Sequence, residues 1–251
     1  MPTPTTTQPA PKGRDMTETG QPSLVRTRGL AKTYARTKAL DGFDLDLAPG
    51  QIVGLLGENG CGKTTLLKIL AGVLSDYSGE ASVAGHRPGP QSKALVSFLP
   101  DASFLDDAAR VSYCLRLYND FFDDFDLDKA RDLIAFFGLD EKARLKEMSK
   151  GMREKIQIAL AMSRDARVFL LDEPIAGVDP AAREVILDGI LRNLAEDSLL
   201  VITTHLIHDL EPILDAVVMM RHGRVVLQGQ ADDLRAAHSA SLDQIFKETY
   251  R

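Results

Sequence analysis

Residues 57–65 read GENGCGKTT, the spacing G-x-x-x-x-G-K-[ST], and lie between the apolar run QIVGLLG (51–57) and the stretch KTTLLKILAGVL (63–74). A strand, a glycine-rich turn and a helix in that order form the context in which this spacing binds phosphate. Gly57, Gly60 and Gly62 let successive backbone N–H groups curl around phosphate oxygens. Lys63 brings a cation to the β- and γ-phosphates, and the Thr64 hydroxyl suits Mg²⁺. Glu58, Asn59, Cys61 and Thr65 complete the loop, with Cys61 read as a small space-filler rather than a nucleophile. A pair of acids follows at VFLLDEP (168–174). The apolar residues carry the chain through a core, and Asp172 and Glu173 emerge at the carboxyl end of the strand, where α/β sheets bind ligands. Asp172 suits Mg²⁺, and Glu173 is placed to accept a proton from an attacking water.

A third constellation is EMSKGMREKIQIALAM (147–162). Ser149 is a favoured N-cap, Gly151 permits close approach to the backbone, and the helix start behind them offers unpaired N–H groups to an anion. An ordinary capped helix has the same look. His205 and His208 sit three apart, but a metal pair there lacks further ligands.

The elements that position these residues alternate. Short runs such as LVRTRGL and the strictly alternating FDLDL precede the glycine loop; EASVAG and ALVSFLP follow it as strands. From about 104 to 164 the character turns helical and predicts an inserted helical subdomain. RVFLLD, the helix AAREVILDGILRNLAE, LLVITT, the short helix LIHDLEPILD and AVVMM then resume the alternation, and RVVLQG and a helical tail close the chain. The expected fold is α/β, a mostly parallel sheet covered on both faces.

Residues 1–22, rich in Thr, Pro and Gln, bury too little apolar surface to fold and read as a disordered tail, with Met16 an alternative start to Met1. Residues 23–251 then make one nucleotide-binding domain. In the helical block, Asp120, Asp123, Asp124, Asp126 and Asp128 read as a solvated face with a helix cap rather than a cation site, and Phe121, Phe122 and Phe125 as packed residues. Arg26, Arg28, Lys32, Arg36 and Lys38 read as a solvated strand pair. Of the 251 residues 44% are hydrophobic and the net charge is −6, which argues against a nucleic-acid partner. Two cysteines exclude a disulfide framework, no apolar run reaches the length of a membrane span, and the first residues lack a signal-peptide core. A cytoplasmic location is expected.

In order, these motifs resemble the ATP-binding subunits of ABC transporters over residues 24–229. GENGCGKTT resembles Walker A, VFLLDEP Walker B with the catalytic Glu173, MSKGM (148–152) the signature, AGVDP (176–180) the D-loop with Asp179, and TTH (203–205) the switch His205. Tyr34 falls where an aromatic stacks on adenine. The resemblance implies a P-loop ABC ATPase fold with an antiparallel β subdomain and an inserted helical subdomain. It implies ATP and Mg²⁺ as cofactors and head-to-tail pairing with a second ATP-binding subunit, identical or related. Ser149, Lys150, Gly151 and Met152 would then act on the partner's ATP. It further implies membrane-spanning partner subunits and a place on the inner face of the membrane.

Two departures stand out. Lys150 and Met152 replace Gly and Gln in the signature, and Asp101, in SFLPDASF, replaces the usual Gln of the Q-loop, where it becomes a third candidate for Mg²⁺ beside Thr64 and Asp172. LPD and SKGM resemble the ABC-2-type exporter ATPases, including a bacterial subset often encoded beside GntR-type regulators. A soluble ABC-type ATPase without a transporter, and a regulatory module that barely hydrolyses, are the competing functions.

Overall fold

The computed structural model describes residues 23–250; the expected N-terminal tail and both candidate starts lie outside them. The alternating segment forms β2 (Thr37–Leu47), with Phe43, Leu45 and Leu47 inward and Asp44 outward. It pairs antiparallel with β1 (Val25–Tyr34), and β1 pairs antiparallel with β4 (Ser78–Val83) in a three-stranded sheet. The basic residues on this sheet are largely answered by acids: Arg28 pairs with Asp46, Lys32 with Asp76 at 2.7 Å and Lys38 with Asp41 at 3.1 Å.

The second sheet has the order β5-β6-β7-β3-β8-β9. Its strands β3 (Gln51–Leu56), β5 (Val96–Leu99), β6 (Val168–Asp172), β7 (Leu199–Thr204) and β8 (Ala216–Arg221) run parallel. Only β9 (Arg224–Gln230) is antiparallel to its neighbour. Every residue of β6 and β7 is buried, as continuous apolar runs in a doubly covered sheet require.

One core lies between the two sheets, where Leu66, Leu67 and Leu70 of α1 (Lys63–Leu70) meet Phe43, Leu40 and Leu55. The other lies on the opposite face, under α3 (Val111–Phe121), α4 (Leu127–Phe136), α5 (Lys150–Met162) and α6 (Pro180–Leu191). The short α2 (Pro90–Lys93) and α7 (Ile207–Leu210), and the closing α8 (Ala231–His238) and α9 (Leu242–Thr249), complete the fold.

Three helices stop short of their sequence pattern. α1 ends at Leu70 because Gly72 takes φ +69°, the left-handed conformation of a helix stop. α6 ends at Leu191, and Asn193 turns its amide back onto the Gly189 carbonyl at 2.8 Å. The stretch 206–215 splits into α7 and a 3₁₀ turn at Glu211–Ile213, since Pro212 has no N–H to continue a helix.

In the helical block Asp126 caps α4, accepting from the Lys129 amide at 2.9 Å, and Asp124 pairs with Arg164 at 2.6 Å; Asp120, Asp123 and Asp128 are exposed. Phe125 is buried and Phe122 half-buried beside Tyr118. Phe121 departs from the expected packing and stands 78% exposed, because α3 ends there with its apolar stripe on the other side.

Gly189 of α6 lies against Phe137, the residue that ends α4. A Cβ at Gly189 would come within 2.6 Å of two atoms of that buried ring. Gly→Ala inside a helix ordinarily stabilises; here the overpacking cost of about 1–3 kcal/mol outweighs it. Gly189→Ala is expected to lower the urea midpoint.

Candidate active site

The parallel register sets the site. Leu56 of β3 lies beside Thr204 of β7, and Thr203 beside Asp172 of β6, so the loops leaving these strands open at one edge. The first loop closes over itself. Gly60 and Gly62 take φ +79° and +114°, and a Cβ on Gly62 would stand 2.2 Å from the Ala39 carbonyl oxygen. Gly62 caps α1 with no side-chain bond, which leaves the first-turn N–H groups to a ligand. The buried Lys63 ammonium donates to the carbonyls of Gly57 at 2.7 Å and Glu58 at 3.2 Å. Cys61 is buried, and burial pushes its thiol up, which fits a filler rather than a nucleophile.

Above this loop opens a cavity of about 360 Å³. The loop contributes Asn59, Gly60, Gly62 and Lys63, and α1 contributes Thr64 and Thr65. The carboxylates Asp101, Asp172 and Glu173 form another side, and Tyr34, 46% exposed at the end of β1, forms the rim with Thr37 and Ala39. Gly57, Glu58 and Cys61 lie outside the lining.

Thr203 organises the acids. Its hydroxyl donates to Asp172 Oδ1 at 2.7 Å and accepts the Glu173 amide at 2.8 Å. The motif TTH assigns this threonine no role; its place on the strand beside the acids is the signal that marks it. Asp172 is buried, and its Oδ2 has no hydrogen-bond partner. A buried orphan carboxylate oxygen facing a cavity that also holds the Thr64 hydroxyl suits a hard divalent cation, which takes few protein oxygens beside phosphates and water. Glu173 adopts φ +53°, a strained conformation for a residue other than glycine and a common one at functional sites. Its Oε2 lies 2.9 Å from Nδ1 of His205, within hydrogen-bond distance. His205 thus meets Glu173 rather than a metal pair with His208.

The signature residues are elsewhere. Ser149 caps α5, accepting from the Met152 amide at 3.2 Å. Lys150 lies across Gly177, its ammonium 2.7 Å from where a Cβ would stand, and Gly151 faces a Val178 methyl. Asp179 caps α6 through the Ala182 amide at 3.0 Å. None of these lines the cavity.

Residues 40–176 match the family ABC transporter. The chain belongs to that family. It is 30% identical over 223 residues to a Nod factor export ATP-binding protein I from Cupriavidus metallidurans, covering 84% of this chain and 73% of that protein. It is also 30% identical over 236 residues to a daunorubicin resistance ATP-binding protein from Streptomyces coeruleorubidus, covering 90% and 74%. Among solved structures, an ATP-binding subunit of an ABC transporter superimposes with a TM-score of 0.81 at 26% identity, covering 91% of this chain and all of that one. The ABC chain is an ATPase, and the cavity is its candidate nucleotide site. No helix among the described residues is long and apolar enough to cross a membrane.

On the α5 side, Glu154 accepts from the Gln157 amide at 3.1 Å. Burial holds the Glu154 carboxyl above the ordinary carboxylate pKa; Lys150 opposes that shift and Asp101 reinforces it. The folded value lies above the unfolded one, so ionised Glu154 weighs against the fold. That weight is absent at low pH and grows as pH rises past about 4.3. Glu154→Gln is therefore expected to raise Tm at pH 7, with the gain vanishing towards pH 4 in a melting series.

Proposed function

We propose that the chain is the ATP-hydrolysing subunit of a bacterial ABC-2-type exporter, driving separate membrane-spanning subunits from the cytoplasmic face. The observation that carries this reading is the convergence of Lys63, Thr64, Asp172 and Glu173, with His205 adjoining, on one cavity of about 360 Å³. The relatives named for export of Nod factor and for daunorubicin resistance support the exporter class.

In this reading Tyr34 stacks on adenine, and the N–H groups of the phosphate loop and Lys63 hold the phosphates. Thr64 and Asp172, with Asp101 alongside, would hold Mg²⁺, which would supply neutralisation of phosphate charge. Glu173 takes the proton of the attacking water. His205, bonded to the same carboxylate, orients it and reads the γ-phosphate. Ser149, Lys150, Gly151 and Met152 lie outside their own cavity, so they serve a second cassette in a head-to-tail pair, with Asp179 of the D-loop beside them. ATP would favour the closed pair and hydrolysis release it.

Glu173→Gln is expected to retain ATP binding while slowing hydrolysis by about 10²–10⁴-fold, the usual contribution of a general base. Steady-state turnover beside nucleotide affinity checks it, and wild-type turnover would remove Glu173 from this role. The same variant, held with MgATP and purified from native membranes, is expected to bring down a multi-spanning subunit. Recovery from the soluble fraction alone would favour an ABC ATPase that works without a transporter.

A further inference from the structure

The phosphate loop rests on a floor made by the tip of the β8–β9 hairpin. The Met220 carbonyl oxygen is 2.5 Å from where a Cβ on Gly57 would stand, and the Met220 methyl is 3.1 Å from the same point on Gly62. The Gly223 amide donates to the Cys61 carbonyl at 3.0 Å. Backbone and side chain of Met220 thus touch the first and last glycines of the loop, and any displacement of the tip passes directly into it.

That tip is itself held from behind by α9 and the residue after it. The Tyr250 hydroxyl donates to the Met220 carbonyl at 2.6 Å. Its ring stacks on Phe246 at 4.2 Å and lies under the Arg221 guanidinium. Burial, together with the nearby Cys61 and Glu58, pushes the phenol far above its ordinary value, so Tyr250 remains a neutral donor. At its other end α9 is fixed by the Leu242 amide, which donates to Glu211 Oε1 at 2.8 Å, in the turn that follows α7 and His205. One helix therefore joins the back of the phosphate loop to the segment after the switch histidine.

We infer that Tyr250 is a positioning residue for nucleotide binding, holding the Met220 carbonyl at the height that keeps the N–H groups of the phosphate loop aimed at the cavity. The inference rests on the cavity being the nucleotide site. Tyr250 touches no nucleotide; it acts through Met220, Gly57 and Gly62. A misplaced loop weakens ground-state and transition-state binding alike, which raises KM and leaves kcat in place.

The test uses the full chain with Tyr250→Phe, which keeps the ring and removes the hydroxyl. Thr249→Ala serves as the control, since the Thr249 hydroxyl bonds within α9 to the Ile245 carbonyl. MgADP affinity is read by calorimetry, and KM and kcat for ATP beside it. For Tyr250→Phe, the MgADP Kd and the ATP KM are expected to rise about three- to tenfold, the range of one hydrogen bond, with kcat unchanged. Thr249→Ala is expected to bind as wild type. An unaltered Kd in Tyr250→Phe, whatever its Tm, overturns the inference, as does an equal loss in Thr249→Ala. Failure of the wild-type chain to bind MgADP would instead overturn the nucleotide site itself.

Discussion

The site depends on the parallel pairing of β6 with β7. That register sets Thr203 beside Asp172, and one hydroxyl then satisfies an Asp172 oxygen and the Glu173 amide together. A slip of one residue would turn Asp172 to the other face of the sheet and leave a buried carboxylate without its donor. Because both strands are buried on both faces, their apolar runs do not distinguish one register from the next, and the polar bonds of Thr203 to Asp172 and Glu173 favour this one. The same sheet order puts β3 next to β7, which brings the phosphate loop alongside the acids.

The sequence exposes those parts of the site that follow from local rules. Glycines spaced around a lysine, and two acids after an apolar run, need no knowledge of distant contacts. Gly60 and Gly62 do take the left-handed conformations that such a loop demands, and Ser149, Asp126 and Asp179 cap the helices that follow them. The cavity residues Tyr34 and Asp101 were reachable only through family resemblance, because nothing local marks an exposed tyrosine or a loop aspartate.

What stayed hidden is set by contacts distant in the chain. The link from Thr203 to Asp172 and Glu173 spans two strands. The bond from Tyr250 to Met220 spans the hairpin and two helices, and an aromatic near a helix end carries no sign of it. Helix ends are hidden for a different reason: the periodic pattern of α1 continues through Ala71–Leu74, and only the backbone conformation of Gly72 stops it. Phe121 shares the spacing of a packed residue but stands where α3 ends, so periodicity alone overstates its burial.

Charge sets what this cavity can hold. Asp101, Asp172 and Glu173 line it against a single ammonium, that of Lys63. A bare triphosphate would meet net repulsion from the side chains, which the loop N–H groups offset only at the phosphates they touch. A divalent cation held by Asp172 would reverse the sign of that interaction. Asp101 sharpens the requirement, because the family's usual glutamine there would be neutral. Its charge also reaches Glu154 within α5, where it adds to burial in holding that carboxyl above its ordinary range.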